Sequence, residues 1–147
     1  MNRVRILGIG SPSGDDQAGW LAVEALLDIG VEASLDKLDR PGANLISLLE
    51  HAERVILIDA MQSGGPPGRI QGFDQNAWPD YTHGLSSHGL GVLDALSLAQ
   101  ALDYLPPRLE LYGIEIASAN PGEAPGTAVR AAARQLAATI AAGLAAA

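Results

Sequence analysis

Val55-Ile56-Leu57-Ile58, apolar without a break and followed at once by Asp59, constrains the fold more than any other stretch of this chain. A strand that is apolar at every position has both faces buried, the pattern of a parallel sheet covered by helices. A second run, Val4 to Ile9, ends in Gly8-Ile9-Gly10 and reads as a buried strand leading into a tight loop. The apolar period then changes: Ala18, Leu21, Ala22, Ala25, Leu26 and Ile29 recur at helical spacing, and Gly30 suits the stop.

The rest of the chain continues the alternation. Residues 33–38 read as a poor, partly polar strand, Pro41-Gly42 as a turn, and residues 43–51 as a short amphipathic helix. A strand is expected at 69–74, a helix at 89–104 with Ser87 able to cap it, a strand at 109–116 and a last helix at 126–144. Residues 75–87 lack periodicity and read as a long loop, and long loops inside compact domains are often functional. Five strands interleaved with four helices predict an α/β fold with a mostly parallel, twisted five-stranded sheet covered on both faces. One domain spanning residues 1–147 is expected, since that length is ordinary for a single core.

Composition removes several functions. Nine Lys and Arg against seventeen Asp and Glu leave a net charge of −8, which disfavours nucleic acid and anionic membrane surfaces as partners. With no cysteine there is no disulfide framework, thiolate nucleophile, iron–sulfur cluster or cysteine-based zinc site. The first residues lack the apolar core of a signal peptide, and the apolar tail from Ala137 is shorter than the about 20 residues that span a bilayer. A soluble, cytoplasmic protein is expected, with chemistry built from carboxylates, three histidines, hydroxyls or backbone groups.

In open α/β sheets ligands gather outside the carboxyl ends of the strands, at a switch point in strand order. The first strand leads to Asp15 and Asp16, the central strand to Asp59, and the segment before the third helix adds His88. Two carboxylates and an imidazole suit a borderline divalent ion such as nickel or zinc. Each residue also has a plainer reading. Asp15 or Asp16 can simply cap a helix, Asp15 being the better candidate. Asp59 can bind loop backbone, His88 can be a capping or surface residue, and His83 is its rival in the same loop. His51, beside Glu50 and Glu53, reads as part of a solvated face. The glycines at 8, 10 and 14 miss the dinucleotide-binding spacing, and the two aspartates after them would repel a pyrophosphate.

These residues resemble a known family. Ile6-Leu7-Gly8-Ile9-Gly10-Ser11-Pro12 with Gly14-Asp15-Asp16-Gln17-Ala18-Gly19 is similar to the opening of the hydrogenase maturation endopeptidases. The likeness continues through Asp39 to Leu45, Val55 to Ala60, Ser86-Ser87-His88-Gly89-Leu90-Gly91 and Leu111 to Glu115. It implies a three-layer α/β/α sandwich and removal of the C-terminal peptide from the large-subunit precursor of a nickel–iron hydrogenase. It also implies that Asp16, Asp59 and His88 are the catalytic, metal-contacting set. The nickel would come bound to the precursor, the resting enzyme carrying no metal, and a monomer is expected. Against the family pattern, Ser11 stands where asparagine is common, Gln17 where glycine is frequent, and the first loop is one residue shorter. Asp16 is one methylene shorter than the glutamate of some members, which leaves Asp15 open as the metal-contacting acid.

Two other readings remain. A non-catalytic module that recognises the metal-loaded subunit is suggested by the altered first loop. An esterase resembling peptidyl-tRNA hydrolase conflicts with the charge of −8.

Overall fold

The chain builds β1 (Val4–Ile9), a 3-10 turn (Gly14–Gln17), α1 (Ala18–Ile29), β2 (Ser34–Leu38) and α2 (Ala43–Leu49). It continues with β3 (Arg54–Met61), β4 (Ile70–Phe73), α3 (Gly89–Ala101), β5 (Arg108–Glu115) and α4 (Thr127–Ala146). The structure, a computed structural model, describes residues 4–11, 14–39, 43–50, 52–62, 64–73, 89–117 and 125–146. The expected long loop at 75–87 and the capping role of Ser87 lie outside them.

The sheet order is β2-β1-β3-β5-β4, with β3 at the centre and β4 alone antiparallel. This is the mostly parallel five-stranded sheet the alternating pattern predicts. β2 pairs only with β1 and β4 only with β5, so both are edges. That position accounts for the polar character of residues 34–38, which a buried central strand could not carry.

Strand pleating divides the core into two layers. Val4, Ile6, Ile56, Ile58 and Ile114 meet Ala22 and Leu26 of α1 and Val129, Ala133, Leu136 and Ile140 of α4. Leu7, Ile9, Val55, Leu57, Leu109 and Leu111 point to the opposite face, toward Leu45 and Leu49 of α2 and Leu96 and Ala99 of α3. The unbroken apolar run of β3 thus feeds both layers at once. Among the described residues, no helix is long and apolar enough to cross a membrane.

α1 lies unusually close to the sheet because two glycines face each other there. A Cβ on Gly19 would fall on the Ile9 carbonyl oxygen and 2.5 Å from that of Ile58, and a Cβ on Gly8 would meet the Gly19 carbonyl. This contact holds the start of α1, and the turn before it, directly over the carboxyl ends of β1 and β3.

Candidate active site at the carboxyl edge of the sheet

β1 and β3 are neighbours, yet the chain leaves β1 toward β2 on one side while β5 lies on the other side of β3. The strand order therefore reverses between β1 and β3, where a crevice opens in such sheets. Asp59 lies on β3 one residue beyond Ile58, the last β3 residue paired with β1, through Gly8. The sequence alone puts Asp59 after the strand. The structure keeps it inside β3, because β5 goes on pairing Asp59, Ala60 and Met61 with Gly113, Ile114 and Glu115. By alternation from Val55 and Leu57, Asp59 stands on the face covered by α2 and α3. Its carboxylate is buried, and Oδ1 accepts a hydrogen bond from the Ala60 amide at 2.7 Å.

Asp15 and Asp16 occupy the 3-10 turn, which touches β3, and both are buried. Neither caps α1, whose N-cap is Gln17 with no side-chain cap bond. Asp15 reaches across the fold instead. Its Oδ1 accepts from the Gly126 amide at 2.6 Å and its Oδ2 from the Ala117 amide at 3.1 Å. Gly126 is the residue that opens α4, its carbonyl accepting from Arg130 N at 3.0 Å, so the Asp15 charge lies at the positive end of α4. The expected capping of α1 by Asp15 is therefore not found: its carboxylate is drawn instead to amides over a hundred residues away, that of Gly126 at the start of α4.

Asp16 turns to the loop after β1. The Ser11 hydroxyl donates to its Oδ2 at 2.5 Å, a short charge-assisted bond, and the Ser11 amide donates to its carbonyl at 3.2 Å. The same loop is tied to the end of β2 by the Gly10 amide, which donates to the Leu38 carbonyl at 3.0 Å, and Trp20 Nε1 of α1 donates to that carbonyl at 3.0 Å as well. Ser11, which departs from the family's asparagine, thus directly holds the predicted site acid.

His88, its rival His83 and His51 lie outside the described residues. The helix that follows His88 in sequence, α3, runs back to the amino edge where β5 begins, which puts its first turn at the carboxyl edge. Among the described residues, no group of three His, Asp or Glu is placed to hold a metal ion.

A further acid at this edge was not singled out from sequence. Glu115, 1% exposed, stands opposite Met61 on the Asp59 face, with Arg69 Nη2 3.8 Å from its Oε1. Its signal was present, since Glu115 closes a strand whose last residues are buried, as Asp59 follows Val55 to Ile58. At the other end of the sheet, Arg54 forms a two-pronged ion pair with Glu110 at 2.9 and 3.0 Å. Burial first, and then the neighbouring Glu110, push the Tyr112 hydroxyl above its ordinary pKa, with Arg54 opposing.

Fold and site define a class: an α/β protein with buried carboxylates flanking the switch point of a mostly parallel sheet. A family model described as hydrogenase maturation protease (HycI) matches residues 41–142, which include Asp59 and the segment around His88. The chain is 31% identical over 119 residues to the hydrogenase expression/formation protein HupD of Rhodobacter capsulatus, aligning 77% of itself with 57% of that protein. It is 32% identical over 120 residues to HupD of Bradyrhizobium diazoefficiens, with 78% and 62% covered. It thus spans about three-fifths of the length of these curated relatives. Among solved structures, the hydrogenase maturating endopeptidase HybD from E. coli superposes with a TM-score of 0.84 at 26% identity, over 97% of this chain and 92% of that one. The maturation protease HybD from Thermococcus kodakarensis gives 0.76 at 30% identity, over 97% and 99%. The chain belongs to the hydrogenase maturation protease family.

Proposed function

We propose that this protein is an endopeptidase that removes the C-terminal peptide of the nickel-loaded large-subunit precursor of a nickel–iron hydrogenase, acting in the cytoplasm as a monomer. The observation that carries the reading is the pair of buried carboxylates, Asp16 and Asp59, flanking the switch point in a family member. Asp16, Asp59 and His88 are the metal-contacting set. Asp16 is preferred over Asp15 because both Asp15 oxygens are engaged by backbone amides of distant segments, which aims that carboxylate at the start of α4.

The nickel belongs to the substrate, and the resting enzyme carries none. Bound near the scissile peptide, it would polarise the carbonyl or a water, with a site carboxylate taking the proton from that water. The water oxygen adds to the carbonyl carbon, and the proton then passes to the leaving amine as the C–N bond breaks, which completes hydrolysis. Ser11 keeps the Asp16 carboxylate oriented for this role by donating to one of its oxygens.

The test is mass spectrometry of the precursor after incubation. The nickel-loaded form should lose a C-terminal peptide and the metal-free form should not. Equal cutting of both, or of neither, overturns the reading; tight binding of loaded precursor with no mass change would mark a recognition module instead. Metal analysis of the purified enzyme should find no stoichiometric nickel.

A further inference from the structure

Two adjacent carboxylates of the 3-10 turn have opposite surroundings, and the difference assigns them different work. Asp16 is held within its own loop by Ser11, five residues away. Asp15 is held by Ala117 and Gly126, which are 102 and 111 residues further along the chain. We propose that Asp15 is a positioning residue for the reaction: it locks the 3-10 turn to the end of β5 and the start of α4, and so fixes where Asp16 stands relative to Asp59. The inference rests on the functional reading above.

The argument is geometric. Asp59 is placed by the β3–β5 ladder, which pairs it with Gly113. Asp16 sits on a four-residue turn, outside the sheet, so its distance from Asp59 depends on what ties that turn to the sheet. The Gly10 bond to β2 and the Gly19 contact anchor the chain on either side of the turn, but neither ties the turn to the β5 side of the sheet. Asp15 does it by bonding the chain just past β5, the strand that also holds Asp59 in register. Both of its bonds join the buried Asp15 carboxylate to backbone amides, and the bond to Gly126 gains from the α4 dipole. The absence of a side chain at Gly126 is part of the fit, since a Cβ there would come within 3.3 Å of Asp15 Oδ1. A carboxylate set aside for positioning, next to one set aside for substrate, explains why this turn carries two acids in succession.

The experiment is steady-state processing of the nickel-loaded precursor, with kcat and KM measured separately. Asparagine at position 15 keeps one acceptor and turns an N–H toward the other amide. Asp15→Asn should therefore lower kcat about tenfold or more while KM stays within about twofold, because docking of the large precursor is untouched and only the reacting geometry slips. Glu110→Gln, which loosens the Arg54 pair at the far end of the sheet, serves as the stability control and should keep kcat. Gly126→Ala, which crowds the Asp15 carboxylate while leaving both amides, should reproduce the kcat loss at roughly two- to threefold. This variant decides the matter if Asp15→Asn does not fold. Wild-type kcat in the folded Asp15 and Gly126 variants overturns the proposal, as does an equal kcat loss in Glu110→Gln. A wild-type enzyme that leaves the precursor uncut overturns the functional reading instead, and the two failures are therefore distinct.

Discussion

Asp59 stands opposite Gly113 in the parallel β3–β5 ladder, one step past the point where β3 loses β1 as a neighbour. The central strand is therefore paired on one side only at its acid, which leaves that side open to the loop carrying Asp16. Burial and a bond from the Ala60 amide hold the carboxylate there.

Asp59→Asn should keep the fold and lose the activity. Asparagine is isosteric and its oxygen can still accept from Ala60, so the melting temperature should stay within a few degrees of wild type. It cannot ligate a cation as a carboxylate does or take a proton from water. Cutting of the nickel-loaded precursor should fall by about a hundredfold or more, read by mass spectrometry. Normal cutting would remove Asp59 from the site.

Gly19→Ala tests the close approach of α1 to the sheet. The added methyl would meet carbonyl oxygens of Ile9 and Ile58, rigid backbone that cannot step aside. A loss of about 1–3 kcal/mol is expected for such overpacking. Urea unfolding should show it as a lower midpoint at unchanged slope.

Leu57→Ala removes a side chain that is 1% exposed from the layer between the sheet and α2 and α3. Its neighbours on β1, β5 and both helices cannot all collapse into the gap, and a cost of about 2–5 kcal/mol follows. Chemical denaturation measures it, and a cost below about 1 kcal/mol would contradict the layer assignment.

Tyr112 supplies a pH signature away from the site. Its pKa is raised from the ordinary 10.0 by burial and by Glu110. The folded protein thus holds this proton more tightly than the unfolded chain. The stability this contributes is full below pH 10 and is lost as pH rises through the raised value. Absorbance titration should show a late-ionising phenol that Tyr112→Phe removes. Glu110→Gln should bring it earlier, because a raising charge leaves while Arg54 remains.

Much of the fold was legible along the chain. Val55 to Ile58 announced a strand buried on both sides, and Ala18 to Ile29 announced an amphipathic helix with a glycine stop, because both patterns repeat within a few residues. The strand at 34–38 read poorly for a reason that is not local: β2 is an edge and half solvated, so its apolar pattern is diluted. The reach of β3 past Asp59 was hidden in the same way, since pairing with β5 alone carries the strand on to Met61.

The sequence by itself determined the alternation of elements, the two-faced core and the delivery of acids to one edge of the sheet. These follow from periodicity, which each segment carries internally. Only the tertiary structure decided which donors Asp15 and Asp16 each find. Their neighbours in sequence are nearly the same, but Asp16 finds Ser11 five residues away, while Asp15 finds amides 102 and 111 residues away. A carboxylate's role is set by the donors around it, and donors that far along the chain reach it only when the sheet and α4 are assembled.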